Sequence, residues 1–337
     1  MEKIKKLKKF FDKEKIDGYI IPKNDQFFGE YIPEYNDRLN FISNFTGSYG
    51  FSLILKNENY LFVDGRYSLQ AKYQCGKAFK IFTLPHKTPR DILKNKELVI
   101  GFDPKLFSKR TLSIFMGGRK NKFLPLKDNL IDKVWRRKTK ESEKKFYILP
   151  DKSVGNNYKL KIKKVRSYLK KKNADYQFIT ASESNAWLLN IRGQDTKYTP
   201  IPYSYILIDK NKKIYFFCNL KKLSRLFKKK FSEIKFIDIR QTDKILSKIS
   251  NKKFILDKNS CSIYFENIIS KNNQILNLQD PIYIFKAIKS KNEIRNIKIA
   301  HKIDGIALTK YLFWLKKNFN TQKITEISGA QKLFKFR

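Results

Sequence analysis

The sequence predicts an α/β protein in which two similar domains follow each other, with a helical segment after them. A helix, a strand, a turn-rich stretch and a β-hairpin occur in the same order twice along the chain. After the second copy, apolar residues recur at helical spacing over a long stretch. The chain has 337 residues, which is room for about two or three domains of ordinary size.

The first unit starts with an amphipathic helix over residues 4–14 and continues with a strand over 17–22. Residues 52–55 and 60–63 predict a hairpin, since both runs are apolar and the turn-like residues 56–59 separate them. The apolar residues of the helix have helical spacing: Ile4, Leu7, Phe10 and Phe11.

The second unit repeats this order with a helix over residues 158–172 and a strand over 175–179. The letters AWLLNIRG stand in the place of FISNFTG, and SYILIDKNKKIYFFCN predicts the second hairpin. We therefore predict domains at residues 1–132 and 133–288.

The pattern of the last segment, residues 289–337, predicts two helices. The first is long and starts near Ser290. Thr325 is a suitable N-cap for the second helix, with Glu326 in its first turn. No stop signal precedes Arg337, so we expect the sequence to be truncated inside an element. The apolar residues of the long helix are Ile294, Ile297, Ile303, Ile306, Leu308, Leu312 and Leu315.

The formal net charge of +42 has two interpretations. A basic protein can bind nucleic acid or another anionic surface. Here, however, the lysines are spread over every segment, and no RNP-like, KH-like or zinc-finger pattern accompanies them. A lysine-rich composition without a nucleic-acid partner is therefore the favoured interpretation.

The cysteines and the hydropathy pattern predict a cytoplasmic protein. Cys75, Cys218 and Cys261 are odd in number and far apart, which indicates neither a disulfide framework nor a zinc site. No apolar run approaches the roughly 18 residues of a membrane helix, and the basic N-terminus lacks the apolar core of a signal peptide.

Few residues suggest chemistry. His86 lies in a predicted loop, and His301 lies in the long helix, where a single histidine is usually structural. The metal-binding HExxH, the P-loop, the dinucleotide fingerprint and the nucleophile elbow are not in the sequence. The stretch Gly47-Ser48-Tyr49-Gly50 could cradle an anion or simply form a tight loop. The residues alone therefore predict no catalytic constellation.

Arg66 is the one candidate binding residue. It follows the second hairpin strand of the first unit and the turn dipeptide Asp64-Gly65, at a strand end where α/β folds commonly place ligand contacts. It could hold a carboxylate, or it could be a solvated surface charge. Aligning the second hairpin puts Asn219 opposite Asp64 and gives no arginine, and a requirement of the fold should appear in both copies. This difference favours a function for Arg66.

The motifs in order resemble the three-domain Xaa-Pro aminopeptidases (aminopeptidase P) of the creatinase/prolidase "pita-bread" superfamily. The matching segments include DGYIIPKNDQFFGEYI, LNFISNFTGSYG, LFVDGRYSLQA, IGFDPKL, AWLLNIRGQDTKYTPIPYSYILI and KAIKSKNEIRNIKIAHKIDGIAL. The resemblance implies two creatinase-N-like α/β domains, followed by the first helices of a truncated pita-bread catalytic domain.

The resemblance also implies an activity, the removal of an N-terminal residue that precedes proline. Two divalent metal ions, usually manganese, would activate water in the complete enzyme. Their ligands belong to the pita-bread domain beyond Arg337, so we expect neither metal ligands nor catalytic residues in this chain. The implied partners are peptides with proline at the second position and a second copy of the chain in a homodimer. Nucleic acid and membranes are not expected partners.

The resemblance assigns roles to a few residues. Arg66 would contact substrate, and Asp64 would either orient it or only form the turn. Arg192 and Asp195 match an RGxD segment and are expected to form an ion pair between loops. Phe27 and Gly29 depart from the family, which often has a histidine and a serine in that stretch. The rival hypotheses are a catalytically silent recognition and dimerisation module and a basic nucleic-acid binder on the same scaffold.

Overall fold

The computed structural model describes residues 2–115 and 120–337, and it contains two α/β domains followed by two helices. In the described part, each domain is built on a mixed six-stranded sheet. The strands of the first domain are β1 Gly18–Pro22, β2 Gly50–Leu55, β3 Asn59–Asp64, β4 Lys80–Leu84, β5 Val99–Phe102 and β6 Lys122–Pro125. Those of the second are β7 Tyr147–Ile148, β8 Tyr176–Ile179, β9 Ile191–Arg192, β10 Tyr205–Asp209, β11 Ile214–Cys218, β12 Lys235–Asp238, β13 Lys253–Leu256 and β14 Gln274–Asn277.

The two sheets share one topology. Their strand orders are β4-β3-β2-β1-β5-β6 and β12-β11-β10-β8-β13-β14. Three adjacent strands of each sheet, two of which form the hairpin, pair antiparallel: β3, β2 and β1 in the first sheet, and β11, β10 and β8 in the second. The other strands pair parallel with their neighbours. β7 and β9 form a separate two-stranded ribbon. The repeat and both predicted hairpins are therefore confirmed.

Helices pack on both faces of each sheet, which explains why the central strands are buried throughout. The helices of the first domain are α1 Glu2–Lys8, α2 Arg38–Ser43, α3 Ser68–Cys75, α4 Pro89–Leu93, α5 Lys109–Phe115 and α6 Leu130–Val134. Those of the second are α7 Tyr158–Lys171, α8 Ser182–Leu189, α9 Arg225–Lys230, α10 Thr242–Leu246, α11 Ile263–Ser270 and α12 Ile282–Ala287.

The first helix is shorter than predicted. It ends at Lys8 and is followed by tight turns, in which the amide of Phe11 donates to the carbonyl of Lys8 at 3.0 Å. Lys15 then adopts a positive φ of 55°. The turns still bury Phe11, so the apolar spacing that predicted a longer helix is satisfied by a compact turn instead.

Each domain contributes a residue to the core of the other. Phe27, from the loop after β1, belongs to a core cluster of the second domain, where its ring stacks on Tyr203 with centroids 4.0 Å apart. Ile263, at the start of α11, belongs to a core cluster of the first domain. The two domains are therefore joined by apolar packing.

The two predicted helices of the last segment are present as α13 Lys291–Asn318 and α14 Glu326–Phe336. Ser290 and Glu293 form a capping box at the start of α13, and Thr325 caps α14 as predicted. Most large apolar side chains of both helices are exposed. The domain limits at residues 132 and 288 stay predictions. Within the described residues, no helix is both long and apolar enough to cross a membrane.

Candidate functional site

The carboxyl ends of the parallel strands in one domain face those in the other. The amide of Ile263 donates to the carbonyl of Phe107 at 2.8 Å, and the hydroxyl of Tyr205 donates to the carbonyl of Gln26 at 3.0 Å. Gln26, Phe107 and Ile263 lie in the segments that follow β1, β5 and β13, and Tyr205 begins the antiparallel strand β10 at the same edge. In open α/β sheets, ligands bind outside the carboxyl ends of strands. The edge between the domains is therefore the place to look for a site.

Arg66 lies in one cleft at this edge, in a 3₁₀ turn over Gly65–Tyr67 between β3 and α3. Asp64 ends the strand and caps the turn, with its Oδ1 accepting from the backbone amide of Arg66 at 3.0 Å and from Nε at 2.8 Å. A Cβ on Gly65 would make ordinary van der Waals contact with Thr83, at 3.6 Å. The sequence thus folds locally into a turn that orients Arg66.

The Arg66 cleft has a volume of about 550 Å³ and is lined by the first domain, with Asn259 as the single contribution of the second domain. The side chain of Arg66 is 71% exposed. Lys23, also in the lining, is neutralised by Asp37, with 2.5 Å between Nζ and Oδ2. The lining consists of Pro22, Lys23, Asn24, Phe28, Gly29, Glu30, Ser48, Tyr49, Phe51, Asp64, Arg66, Leu106, Phe107, Thr111 and Asn259.

The electrostatics of the turn keep both of its charges in place. The hydrogen bond with Asp64 raises the pKa of Arg66, and the same bond lowers the pKa of Asp64. Partial burial, followed by the charge of Asp64, raises the pKa of Tyr49. A planar guanidinium oriented in an open cleft can bind a carboxylate or carbonyl oxygens at fixed geometry.

The glycine-rich loop before β2 serves packing. A Cβ on Gly47 would lie 2.2 Å from the ring of Phe45, and one on Gly50 would lie 2.7 Å from the carbonyl of Phe62. Both glycines are therefore fixed by neighbouring atoms, which supports the tight-loop alternative over an anion cradle. Ser48 nevertheless borders the Arg66 cleft, where its hydroxyl lies 2.7 Å from that of Tyr67.

The second domain contains the same aspartate–arginine pair, one strand further along its sheet. At the aligned position, Asn219 caps a 3₁₀ turn without an arginine. After the neighbouring strand β12, however, Oδ1 of Asp238 accepts from the amide of Arg240 at 2.9 Å and from its Nε at 2.8 Å. The aligned position thus lacks an arginine, as the sequence comparison indicates, but a similar turn follows a different strand of the second domain. An Asp-x-Arg triplet after a strand was visible in the sequence and would have found it.

The expected ion pair between Arg192 and Asp195 does not form. Asp195 is buried and pairs with the ammonium of Lys222, which is fully buried and also lies 2.5 Å from Glu141. Arg192 instead donates to the carbonyls of Ala186 and Ile191. A buried carboxylate needs a partner, but no local pattern distinguishes Lys222, which is buried, from the adjacent Lys221, which is exposed.

The two histidines are exposed, His86 in the loop after β4 and His301 on α13. In the described parts of the chain, no three His, Cys, Asp or Glu side chains are grouped as metal ligands. The three cysteines are buried and unpaired. That the chain holds no catalytic metal stays a prediction.

The two departures from the resembled family have different settings. The ring of Phe27, which carries no polar group, stacks on Tyr203 of the second domain. Gly29 instead borders the Arg66 cleft.

Family models match almost the whole chain. Two models, both described as the creatinase/prolidase N-terminal domain, match residues 3–134 and 137–293. They coincide with the two α/β domains of the structure.

Curated relatives and a solved structure match along the same length. Xaa-Pro aminopeptidase 1 of Dictyostelium discoideum is 32% identical over all of this chain, which covers 57% of that protein. The Xaa-Pro aminopeptidase ApepP of Drosophila melanogaster is 31% identical over 96% of this chain and 55% of its own length. The X-prolyl aminopeptidase of Caenorhabditis elegans, a cytosolic enzyme with a di-nuclear active site, superposes with a TM-score of 0.88 at 26% identity. That match covers all of this chain and 59% of the other. The chain thus spans a little over half the length of these relatives.

Proposed function

The chain belongs to the creatinase/prolidase family, and from this premise we propose that it is the N-terminal part of a metal-dependent Xaa-Pro aminopeptidase. The observation that carries the proposal is the whole-chain superposition on an X-prolyl aminopeptidase, together with the whole-chain identity to curated Xaa-Pro aminopeptidases. In this proposal the protein removes an N-terminal residue that precedes proline.

Arg66 is the substrate-binding residue of the proposal. Its cleft lies at the strand ends of the first domain, and Asp64 orients the guanidinium, which also lies 5.3 Å from the centre of the Tyr67 ring. A peptide carries carbonyl oxygens and a terminal carboxylate, which are the groups that an arginine fork binds best. Arg66 thus binds and orients the peptide, and Asp64 is its positioning residue.

The metal centre lies outside this chain in the proposal. The relative from Caenorhabditis elegans has a di-nuclear active site, whereas the described residues offer no ligand set that would hold two metal ions. Two divalent ions, manganese in our proposal, would supply an activated water. Helices α13 and α14 are then the first elements of the pita-bread catalytic domain that holds them. A homodimer and a cytoplasmic location complete the proposal.

The test is hydrolysis of defined peptides by the natural full-length protein that contains these residues. With manganese present, a peptide with proline at its second position should lose its first residue, and the same peptide with alanine there should remain intact. A chelator should stop the reaction. If the purified, folded protein binds the proline peptide but never cleaves it, the alternative of a non-catalytic recognition or dimerisation module replaces the enzyme.

A further inference from the structure

A second cleft lies at the same edge between the domains, and nothing in the proposed reaction uses it. We call it the interdomain cleft; it has a volume of about 610 Å³. Gln26 and Phe27 border it, while their neighbours Asn24 and Phe28 border the Arg66 cleft, so the loop after β1 separates the two. A cleft of this size at a domain interface can accommodate a small organic molecule.

Aromatic rings form much of its wall. Phe27 stacks on Tyr203, and Tyr264 packs against Phe265 with ring centroids 5.3 Å apart. Four of the six lining rings are buried, so the half-buried Tyr35 and Tyr264 are the rings on which a planar ligand can stack. The aromatic residues of the lining are Phe27, Tyr35, Tyr203, Tyr205, Tyr264 and Phe265.

The carboxylates of the cleft are already engaged by the protein. Asp132 accepts two hydrogen bonds from Arg38, at 2.8 and 2.9 Å, and Glu141 lies 2.5 Å from the ammonium of Lys222. Asp103 accepts from Asn129 at 2.8 Å. Asp243 accepts from the hydroxyl of Tyr264 at 2.9 Å, and Asp128 pairs with Lys133 at 3.4 Å. Asp132, Glu141 and Asp128 are thus paired with cations, whereas Asp103 and Asp243 accept from uncharged side chains.

Three cations of the lining keep hydrogen-bonding capacity. Arg240 uses Nε and Nη2 for Asp238, and no described side chain engages its Nη1. Within the residues that the structure describes, the ammonium groups of Lys105 and Lys127 pair with no carboxylate. The ammonium of Lys105 lies 4.7 Å from the centre of the Tyr264 ring, which places a cation beside an aromatic face.

From this combination we infer that the interdomain cleft is a second binding site, for a small aromatic anion. The ring of the ligand stacks on the tyrosine wall near Tyr264. Its anionic group, a phosphate or a carboxylate, is bound by Arg240, Lys105 and Lys127. Arg240 is preorganised for this by the same turn that orients Arg66 in the other cleft, so each domain presents one such arginine to the edge between them.

Titration calorimetry with small anions tests the inference on the full chain at about 150 mM salt, where long-range attraction to the many lysines is screened. AMP and hippurate are the aromatic probes, with phosphate and carboxylate groups respectively, and inorganic phosphate is the probe without a ring. At least one aromatic probe should bind with a stoichiometry of one and at least tenfold more tightly than inorganic phosphate, since base stacking on an aromatic side chain adds roughly that much. Whichever aromatic probe binds more tightly identifies the preferred anionic group.

Two substitutions and one matched control locate the site. Arg240→Ala should lower the affinity for the aromatic probe by about tenfold to a hundredfold, because it removes charge-assisted hydrogen bonds. Tyr264→Leu should lower the affinity for the aromatic probe and leave the affinity for inorganic phosphate unchanged. Arg225→Ala removes the same charge from an exposed position of the second domain that lines neither cleft, and it should leave the affinity for the probe unchanged.

Arg240 is largely exposed, so its variant remains informative even if Tyr264→Leu fails to fold. The inference is overturned if no aromatic probe binds at millimolar concentration. It is also overturned if Arg225→Ala and Arg240→Ala lower the affinity for the probe equally, which would show attraction to the net charge alone.

Discussion

One carboxylate oxygen of Asp64 accepts hydrogen bonds from both Nε and the backbone amide of Arg66, so a single residue fixes the turn and orients the guanidinium. The side chain is therefore oriented although it is 71% exposed. Orientation before binding lowers the entropy lost when a ligand is bound. Asp238 and Arg240 repeat the arrangement in the second domain after β12, whereas the turn that follows the counterpart of β3 has Asn219 and no arginine, so the pairing is a local property of the Asp-x-Arg turn.

Replacing Arg66 by alanine should weaken catalysis in the full-length enzyme without affecting folding. A charge-assisted hydrogen bond contributes about 1.5–3 kcal/mol, so kcat/KM for proline peptides should fall about ten- to a hundredfold. Arg66→Lys should recover only part of this loss, because an ammonium cannot reproduce the planar fork. Steady-state kinetics and a melting curve measure both effects. Lys77→Ala, another exposed cation of the first domain, is the control. Normal kinetics with a lowered melting temperature would make Arg66 a structural residue.

Replacing the buried Lys222 should destabilise the second domain. Its ammonium pairs with Asp195, which is itself buried, so Lys222→Ala leaves a carboxylate without its charge partner. We expect a loss of about 3–5 kcal/mol in the free energy of unfolding, measured by urea denaturation. Lys221→Ala, next to it but exposed, should change stability by less than about 1 kcal/mol. Equal losses at the two lysines would contradict the role of the buried pair.

The elements set by local sequence were predictable. Apolar runs separated by turn residues predicted both hairpins, and apolar residues at helical spacing predicted α7 and α13 to within a few residues. The Thr325 cap followed from the same local rules. The end of α1 was missed because Phe11 reaches the core equally well from a turn, and burial rather than helix propensity decided the local conformation.

The site was less predictable because it depends on contacts between distant residues. Arg66 could be placed at a strand end from its own neighbours. The partner of Asp195 is 27 residues away in Lys222, and the RGxD spacing pointed to Arg192 instead. The interdomain cleft depends on the docking of Phe27 on Tyr203, which no local pattern in the sequence specifies.

The chain as it stands should bind no stoichiometric catalytic metal. Among the described residues no suitable group of ligands is present, and metal affinity requires several deprotonated ligands held together. After dialysis with manganese or zinc and then against metal-free buffer, elemental analysis should find well under one equivalent per chain. One tight equivalent would refute the placement of the metal centre outside these residues.

The segment of α13 and α14 should be the first part of this chain to be cut by a protease. Ile303, Phe313, Ile327 and Phe334 on these helices are each more than 60% exposed, so the helices gain little from burial. A buried side chain of this size contributes about 1.5–3 kcal/mol, and local opening is cheapest where such burial is lacking. Limited proteolysis followed by mass spectrometry should find early cuts between residues 289 and 337. The two α/β domains should remain intact as the control within the same digest, and a segment as resistant as they are would contradict the prediction.

The ion pair that joins α2 to α6 should make stability depend on acid pH. Asp132 accepts two hydrogen bonds from the buried Arg38, at 2.8 and 2.9 Å. Burial by itself would raise the pKa of Asp132, but the contacts with Arg38 and Arg137 outweigh it and lower the pKa below its ordinary value of 3.8. The unfolded chain therefore binds this proton more readily than the folded one, so the pair stabilises the fold above about pH 4, and the contribution is lost as the pH falls through the folded-state pKa.

Asp132→Asn should lower the free energy of unfolding by about 2 kcal/mol at pH 7. This is less than for a fully buried pair, because the side chain of Asp132 is still a third exposed. Urea denaturation of both proteins from pH 7 down to about pH 3 should show the two curves converging with acid. A constant gap over that range would show that the charge of Asp132 is not what stabilises the contact.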